Sequence, residues 1–248
     1  MTQINSFNLE FQKDCNGNPF FASFPFVFDN RSVTGVSCGV SSRFAGGMKN
    51  EAHNKNRLAL FSKLGLEAAN VYGLKQIHSR TVLAVDNNNP PLIDADGMVT
   101  QDRSIALSVT VADCLPVFLL DTQTGAFALV HSGWKGTGIA VNAVNLMKEL
   151  FAATTGDVAA VLGPCIGPCC YKVDAERFCL FEKEFGTESA RKSGEDFFLD
   201  LKAANIKLLA NIGVKNIAVC QDCTFCDERL GSFRREGADF THMAALVF

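Results

Sequence analysis

The sequence predicts one α+β domain, with mixed β-sheets packed between helices, that spans residues 1–248. The first reason is size, because a chain of 248 residues, 48% of them hydrophobic, can bury one large core. The second is that no Pro/Ser-rich linker, low-complexity tract or internal repeat divides the chain. The third is that strand-like and helix-like segments are both plentiful but do not alternate strictly, as a doubly wound parallel sheet requires.

The N-terminal half is predicted to consist mainly of strands. Its apolar and polar residues alternate irregularly, which is typical of strands with one buried face. One helix is predicted over residues 51–64, where Leu58, Phe61 and Leu64 recur at a spacing of three and Gly65 ends the pattern. The predicted strands are 7–29, the start of 33–48 before its glycine-rich turn, 70–77, 81–85, 103–111, 115–120 and 126–130.

The C-terminal half is predicted to alternate helices with short buried strands. An apolar stripe predicts a helix over residues 139–151. Asp174 is expected to cap a second helix that Gly186 ends, and Asp200 to cap a third. The predicted strands of this half are 158–162, 216–220 and one at the C-terminal end.

Composition excludes several classes of protein. The formal net charge of -3 and the pI near 5.8 argue against a nucleic-acid binder, which usually has a basic face. No apolar run is long enough to cross a membrane, and the N-terminus lacks the basic and apolar regions of a secretory signal. Ten cysteines without an export signal therefore predict a cytoplasmic protein with reduced thiols. Composition does not indicate an oligomeric state.

His78, Cys114 and His131 are the candidate metal ligands. Each lies at or just beyond the end of a predicted strand, where side chains of neighbouring strands can converge. Two imidazoles and one thiolate with an open fourth position form a known catalytic zinc site. Two alternatives stay open: buried structural side chains, or a nucleophilic Cys114 with His131 as its base. Asp113 is expected to orient a histidine or act as a base, or else to be a strand-end charge.

Further candidates come from glycine-rich turns and basic residues. Trp134 and Lys135 lie among glycines and are expected to wall a pocket and contact an anion, although Trp134 alone could cover the core. Arg43, Arg234 and Arg235 are the cationic candidates for a phosphate or carboxylate, or are solvated surface charges. Both remaining histidines, His53 and His242, are predicted to lie on the surface.

The cysteines of the C-terminal half and the DADGMVT segment allow weaker predictions. The two cysteine groups could hold an iron–sulfur cluster or a structural zinc. The fourth ligand expected near Cys226 is missing, however, so free thiols are favoured. DADGMVT, at 94–100, is interpreted as a turn before a strand, because it lacks the pattern of a calcium loop. The cysteines concerned are Cys165, Cys169 and Cys170, and Cys220, Cys223 and Cys226.

Six motifs occur in the order KQIHS, DADGMVT, ADCLPV, VHSGWKG, LGPCIGPCCYKV and SFRREG. Together, over about residues 35–237, they resemble the bacterial laccase-domain family, whose members are described as multicopper polyphenol oxidase-like, purine nucleoside phosphorylase-type or peptidoglycan-editing proteins. The resemblance implies a single-domain α/β/β/α sandwich with mixed sheets. It also implies a metal, usually zinc with copper as the alternative, at His78, Cys114 and His131.

The activity that the resemblance implies is phosphorolysis of adenosine, inosine, guanosine and methylthioadenosine, with adenosine deamination beside it. The alternatives are a peptidoglycan-precursor amidase, a copper-linked phenol oxidase and a non-catalytic binder. Two segments depart from the family pattern, namely the short loop after Arg43 and ADFTHM after the double arginine, and both bear on substrate choice. The candidate catalytic residues are Asp113, Cys114 and Arg43, and the candidate substrate contacts are Lys75, Gln76, Trp134, Lys135 and Arg234.

Overall fold

The computed structural model describes residues 2–51 and 53–248, and its secondary structure is mixed. The strands in this part of the chain are β1 (Gln3–Phe7), β2 (Phe11–Lys13), β3 (Pro19–Phe28), β4 (Arg31–Ser41), β5 (Val71–Gly73), β6 (Val82–Ala84), β7 (Gly97–Thr100), β8 (Ala106–Val111), β9 (Leu115–Asp121), β10 (Phe127–Ser132), β11 (Val158–Leu162), β12 (Lys172–Val173), β13 (Ala190–Ser193), β14 (Asp196–Leu199), β15 (Asn216–Cys220) and β16 (Met243–Val247). The helices are α1 (Lys55–Lys63), α2 (Ile139–Phe151), α3 (Ala175–Phe185), α4 (Leu201–Asn211) and α5 (Phe233–Glu236).

Two large mixed sheets contain most of the strands. The first has seven strands in the order β1-β15-β11-β9-β10-β7-β6, and the second has six in the order β2-β3-β4-β16-β8-β5. Within the first sheet, β9 pairs antiparallel with β10 and with β11, whereas β15 pairs parallel with both β1 and β11. A small third sheet, in the order β12-β14-β13, lies outside these two.

Alternation along the central strands divides the core into layers. Val117 and Leu119 of β9 face α2, α3 and α4 in one hydrophobic cluster. Their neighbours Phe118 and Leu120 face the second sheet in another cluster. A third cluster packs Phe61 of α1 against the far side of the second sheet. The order of layers is therefore helices, sheet, sheet, helix, so the predicted α/β/β/α sandwich of the α+β class is confirmed.

Several sequence predictions agree with the structure at single-residue resolution. The Asp174 carboxylate accepts a hydrogen bond from the Arg177 backbone N–H at 2.7 Å and caps α3. Asp200 caps α4 in the same way, through the backbone N–H of Ala203 at 2.9 Å. Gly186 ends α3 with a φ of 96°, which glycine adopts without steric cost. The predicted strands 115–120 and 126–130 correspond to β9 and β10, which a short turn joins.

Other boundaries were wrong for identifiable physical reasons. The segment 7–29 is not one strand, because the Asp14 carboxylate accepts bonds from the backbone N–H groups of Asn16 and Asn18 and makes a turn between β2 and β3. The predicted strand 70–77 ends at Gly73, because the residues that follow turn toward the buried Asp96, whose carboxylate accepts a hydrogen bond from the Ile77 backbone N–H. The strands of the small sheet are only two to four residues long, too short to show a periodic pattern.

No helix in residues 2–51 and 53–248 combines the length and the apolar character needed to span a bilayer.

Candidate metal centre

The pairing of β9 with β10 brings two of the predicted ligands together. His131 lies near the end of β10 and is opposite Pro116, so Cys114, just before β9, lies at the same edge of the sheet. His78 reaches this edge from the loop between β5 and β6. The ligand atoms of His78, Cys114 and His131 all lie within 4.8 Å of one another. The two imidazole rings are 4.9 Å apart between centroids and meet edge to face at 77°.

The glycine at position 133 lets the chain pass close to these three side chains. A Cβ at Gly133 would lie 3.0 Å from the Cys114 Sγ and 3.2 Å from a ring carbon of His78. Both distances are shorter than ordinary van der Waals contacts, so a larger residue would displace the ligands. The first glycine of the SGWKG turn therefore leaves room for the three candidate ligands.

Asp96 is the residue that fixes both histidines. It precedes β7, and because Val130 pairs with Gly97, the next position places Asp96 opposite His131. Its Oδ1 lies 2.9 Å from the Nδ1 of His131. The same carboxylate accepts hydrogen bonds from the backbone N–H groups of Ile77, His78 and Ser79 at 3.2, 3.0 and 2.6 Å, and from the Ser79 hydroxyl at 2.8 Å.

These bonds hold His78 in an uncommon backbone conformation. Its φ of 60° lies in the left-handed region, which costs a non-glycine residue free energy. Such a conformation persists only when surrounding contacts impose it, and here the Asp96 carboxylate does so through three consecutive backbone N–H groups. In this conformation the exposed His78 imidazole points toward the buried His131 and toward Cys114.

Three ionisable groups of the centre have shifted pKa values. Burial raises the pKa of Asp96, but hydrogen bonds from His131 and Ser79 outweigh burial and lower it to about 2. Burial also raises the pKa of Cys114, but the charge and hydrogen bond of His131, together with His78, lower it to about 6. For His131, burial lowers the pKa, whereas Cys114 and Asp96 raise it to about 9. At neutral pH and without a metal, these shifts favour a Cys114 thiolate beside a protonated His131, a thiolate–imidazolium pair.

The donor set fits zinc. Asp96 occupies the Nδ1 of His131, which leaves the other ring nitrogen for a metal; an imidazole held in this way by a carboxylate is common among zinc ligands. One thiolate and two imidazoles match the ligands of a catalytic zinc site that keeps a fourth position open. The space between Gly133 and the three side chains has no room for another side chain, so it suits a single metal ion.

A cavity of about 470 Å³ opens next to the three predicted ligands, and this volume lies within the range of small-molecule sites. Apolar and aromatic side chains contribute much of its wall. The lining residues are Gln76, His78, Thr110, Ala112, Asp113, Cys114, His131, Trp134, Ile166, Tyr171, Arg177, Leu201, Phe233, Arg234, Phe240 and His242.

Two guanidinium groups and two aromatic rings form pairs in the cavity wall. Arg177 of α3 lies over the Trp134 ring at 4.6 Å from its centroid, and Arg234 of α5 lies over Tyr171 at 5.1 Å. Burial is the main cause that raises the pKa of Tyr171 to about 12, so its hydroxyl keeps its proton at neutral pH. The cavity thus combines positive charge with a hydrogen-bond donor.

A second aromatic group lies on the C-terminal side of the cavity. Phe233 and Phe240 meet edge to face at 5.1 Å, and Phe240 lies 4.3 Å from the His242 ring. The prediction that His242 is a surface residue was wrong: it is half-buried and lines the cavity. Burial is also the main cause that lowers its pKa, so at neutral pH it presents an uncharged ring.

Asp113 has a different structural role from the one expected. Its carboxylate accepts a hydrogen bond from the Thr224 hydroxyl at 2.6 Å and from the backbone N–H of Arg234 at 2.8 Å. It therefore joins the β8–β9 loop to the C-terminal loops, while Asp96 contacts the histidine. The expectation that Asp113 orients a histidine ligand is corrected to Asp96, which the sequence analysis placed only in a turn.

The structure places the other predicted site residues in two groups. Gln76, Trp134 and Arg234 line the cavity, although the Gln76 amide is already bonded to the backbone and hydroxyl of Thr110. The other three do not line it. Arg43 lies 3.8 Å from the Glu236 carboxylate, Lys75 pairs with Asp94 at 2.8 Å, and the Lys135 ammonium lies over the Trp134 ring at 5.6 Å from its centroid.

Sequence reasoning missed several residues of the wall. Arg177 lies in the first turn of α3, and its charge was assigned no role. Tyr171 follows the double cysteine, and Phe240 lies in the segment that departs from the family pattern. Aromatic residues next to the SFRREG motif were a usable indication, because aromatic rings beside arginines often form ligand sites.

Comparison with known proteins places the chain in a family. A profile described as multi-copper polyphenol oxidoreductase laccase matches residues 28–248. A purine nucleoside phosphorylase of Corynebacterium glutamicum is 35% identical over 191 residues, covering 75% of this chain and 76% of that protein. One from Clostridium acetobutylicum is 33% identical over 178 residues, covering 70% and 75%.

Solved structures agree. The crystal structure of YlmD from Geobacillus stearothermophilus superposes with a TM-score of 0.81 at 25% identity, covering 96% of this chain and 97% of that one. A Neisseria meningitidis protein superposes with a TM-score of 0.77 at 26% identity, covering 91% and 98%. The sequence match, the sandwich and the clustered motifs lead to one conclusion: this chain belongs to the laccase-like family of multi-copper polyphenol oxidoreductase proteins, which includes relatives named purine nucleoside phosphorylases.

Proposed function

We propose that this protein is a zinc-dependent purine nucleoside phosphorylase that acts on adenosine, inosine, guanosine and methylthioadenosine, with adenosine deamination as a side activity. The observation that carries the proposal is one cavity that joins the His78, Cys114 and His131 group to aromatic rings and two guanidinium groups. The relatives named purine nucleoside phosphorylases support the choice of substrate class.

The metal in this proposal is a single zinc ion held by His78, Cys114 and His131. Bound there, zinc would supply a Lewis acid that stabilises developing negative charge. Asp96 holds His131 with one ring nitrogen free, and its backbone contacts hold His78 in position. A multicopper centre is a poorer fit, because such centres need many histidines. Of the four in this chain, only His78 and His131 belong to the group.

The nucleoside and the phosphate would occupy different parts of the cavity wall. The purine would stack against Phe240 and its neighbours, since flat aromatic surfaces suit a flat base. Arg177 and Arg234 would bind phosphate, because a guanidinium group pairs two N–H donors with two phosphate oxygens. Arg43, which we expected to steer the anion, lies outside the wall and has no part in this proposal.

Phosphorolysis requires one bond to form and one to break. A phosphate oxygen forms a bond to C1′ of the ribose while the C1′–N9 bond breaks, and the purine leaves with the electron pair and takes up a proton. The two arginines would hold the phosphate in line with C1′, which is catalysis by positioning. Tyr171, protonated at neutral pH, would donate a hydrogen bond to the departing purine. Asp113 would position Arg234 through its backbone N–H.

One observation favours a second candidate. The thiolate–imidazolium pair of Cys114 and His131 is also the arrangement of a cysteine nucleophile with its base. Such a site would suit an amidase that acts on peptidoglycan precursors without a metal. The two candidates differ in one measurable respect, because only the phosphorylase needs zinc.

The test compares products and metal dependence in the same preparation. Untagged protein is incubated with adenosine and phosphate, and adenine, ribose 1-phosphate and inosine are separated by chromatography. Adenine and ribose 1-phosphate in equal amounts, lost in His78→Ala and Cys114→Ser but kept in Cys15→Ser, would support the proposal. Cys15 is a matched control, because its thiol is exposed and lies outside the His78, Cys114 and His131 group. Inosine alone would replace phosphorolysis with deamination. Unchanged adenosine, with activity on precursor muropeptides after chelation, would favour the cysteine nucleophile.

A further inference from the structure

A second group of potential ligands lies outside the candidate metal centre. Cys169 and Cys170 precede β12, and Cys223 and Cys226 follow β15. These segments are more than fifty residues apart in the chain, yet the four sulfur atoms all lie within 4.8 Å of one another. The sequence pattern suggested a different set, because Cys220 completes the spacing of Cys223 and Cys226 but is bonded to Asp222 instead.

The sulfur distances suit one tetrahedral metal ion. The Sγ atom of Cys226 lies 3.4 Å from that of Cys170 and 3.9 Å from that of Cys169. With Zn–S bonds of about 2.3 Å, neighbouring sulfurs of a tetrahedron are roughly 3.8 Å apart. A four-iron cluster binds each thiolate to a separate iron and would hold the sulfurs farther apart. Four thiolates around one ion are a common structural zinc set.

The backbone around the group is arranged for sulfur. The Gly167 N–H donates to the Sγ of Cys223 at 3.2 Å, a bond that stabilises a thiolate. A Cβ at Gly167 would lie 3.2 Å from the Cys169 Sγ, which is a tight contact, so a side chain at this position would crowd that ligand. Cys223 is buried, whereas Cys169 and Cys226 are exposed, which gives a metal ion a path from solvent.

We propose that Cys169, Cys170, Cys223 and Cys226 bind one structural zinc ion, which holds the loop after β11 against the loop after β15. The thiols would lose their protons on binding, as metal-bound cysteines do. Zinc at this position would be closed to substrate, because the protein supplies all four ligands.

The two loops that this zinc would join also build the cavity. Ile166 and Tyr171, on either side of the double cysteine, line it directly. Thr224, next to Cys223, bonds to the Asp113 carboxylate, and its backbone N–H donates to the Cys165 carbonyl at 3.1 Å. Arg235 donates to the Thr224 carbonyl at 2.6 Å and so fixes the second loop. The zinc would therefore position Tyr171 and Asp113 without touching the substrate.

The test is a metal count on the full-length, untagged protein, purified under a thiol reductant and analysed by plasma mass spectrometry. The double variant Cys169→Ser/Cys226→Ser should contain one zinc fewer per chain than the wild type, and Cys15→Ser should match the wild type. His131→Ala reports on the other centre and should leave this zinc in place. The two assignments can thus fail separately: equal zinc in the double variant and the wild type would overturn this one whatever His131→Ala shows.

A second measurement tests the proposal without the double variant, in case that variant fails to fold. Wild-type protein grown with cobalt should show intense thiolate-to-cobalt charge-transfer absorption, and His131→Ala should keep most of it, since four of the five ligand thiolates belong to this group. Loss of most of that absorption in His131→Ala would contradict the proposal. Iron in place of zinc, or a Cys170–Cys226 disulfide in protein purified under reductant, would also overturn it.

Discussion

Replacing Asp96 with asparagine should disrupt the metal centre more than any other change of similar size. The carboxylate receives four hydrogen bonds from the 77–79 segment and one contact from His131. An asparagine keeps one acceptor oxygen but replaces the other with an NH2 group, which cannot accept from the N–H donors. One or two hydrogen bonds to a charged group are therefore lost. At about 1.5–3 kcal/mol each, the loss of unfolding free energy is roughly 3 kcal/mol.

The lowered pKa of Asp96 gives a second value for the contribution of this carboxylate to the free energy of unfolding. A fall from 3.8 to about 2 corresponds to roughly 2–3 kcal/mol of stability, because each pKa unit is worth about 1.4 kcal/mol. The folded-state pKa is lowered, so this stability is present above about pH 4 and is lost as the pH falls toward 2. The wild type should therefore lose stability over that interval, and Asp96→Asn should lose less.

The assay is urea unfolding together with a zinc count. Asp96→Asn should lower the unfolding midpoint and weaken zinc binding at the His78, Cys114 and His131 group by about 10–100-fold, the usual effect of removing a carboxylate behind a histidine ligand. Asp94→Asn is the matched control: it lies in the same turn, but its carboxylate is exposed and pairs with Lys75, so little should change. Wild-type stability and zinc affinity in Asp96→Asn would refute this reasoning.

Three further predictions concern the centre and the cavity. Gly133→Ala should lower zinc occupancy in metal analysis, because its Cβ would lie 3.0 Å from the Cys114 Sγ; unchanged occupancy would show that the loop can move away. In metal-depleted protein, alkylation of Cys114 followed by peptide mass spectrometry should stay fast at pH 7 and slow as the pH falls through about 6, because the thiolate is the reactive form and its pKa is lowered; a decline centred near 9 would contradict this. Arg177→Gln should raise the KM for phosphate about tenfold or more and leave the zinc count unchanged, and an effect on the nucleoside KM alone would argue against phosphate binding at this position.

The parts of the fold that the sequence predicts well are those determined by neighbouring residues. Asp174 and Asp200 cap helices because a carboxylate bonds to a backbone N–H three positions later, which is a local interaction. The convergence of Cys114 and His131 was also predictable. A short turn joins β9 to β10 as an antiparallel pair, so the start of β9 and the end of β10 lie at the same edge of the sheet. The three candidate ligands therefore followed from the positions of strand ends.

The parts that the sequence does not predict depend on distant contacts. Asp96 was assigned to a turn, because only the pairing of β7 with β10 shows that its carboxylate faces His131. The group of four cysteines was missed because the segment around Cys226 contains too few thiols. The two remaining thiols, Cys169 and Cys170, come from a distant loop. His242 was placed on the surface, but β16 begins at the next residue and holds it beside the cavity.

A reconstitution titration tests whether phosphorolysis depends on zinc at His78, Cys114 and His131. Protein is stripped with a chelator, zinc is added back in steps, and ribose 1-phosphate formation from adenosine is measured at each step. We expect no turnover in the stripped protein, and recovery that saturates when the centre holds one zinc. His78→Ala should show no recovery at any zinc level. Full turnover by the stripped protein, or recovery by His78→Ala equal to that of the wild type, would show that phosphorolysis does not depend on zinc at this group.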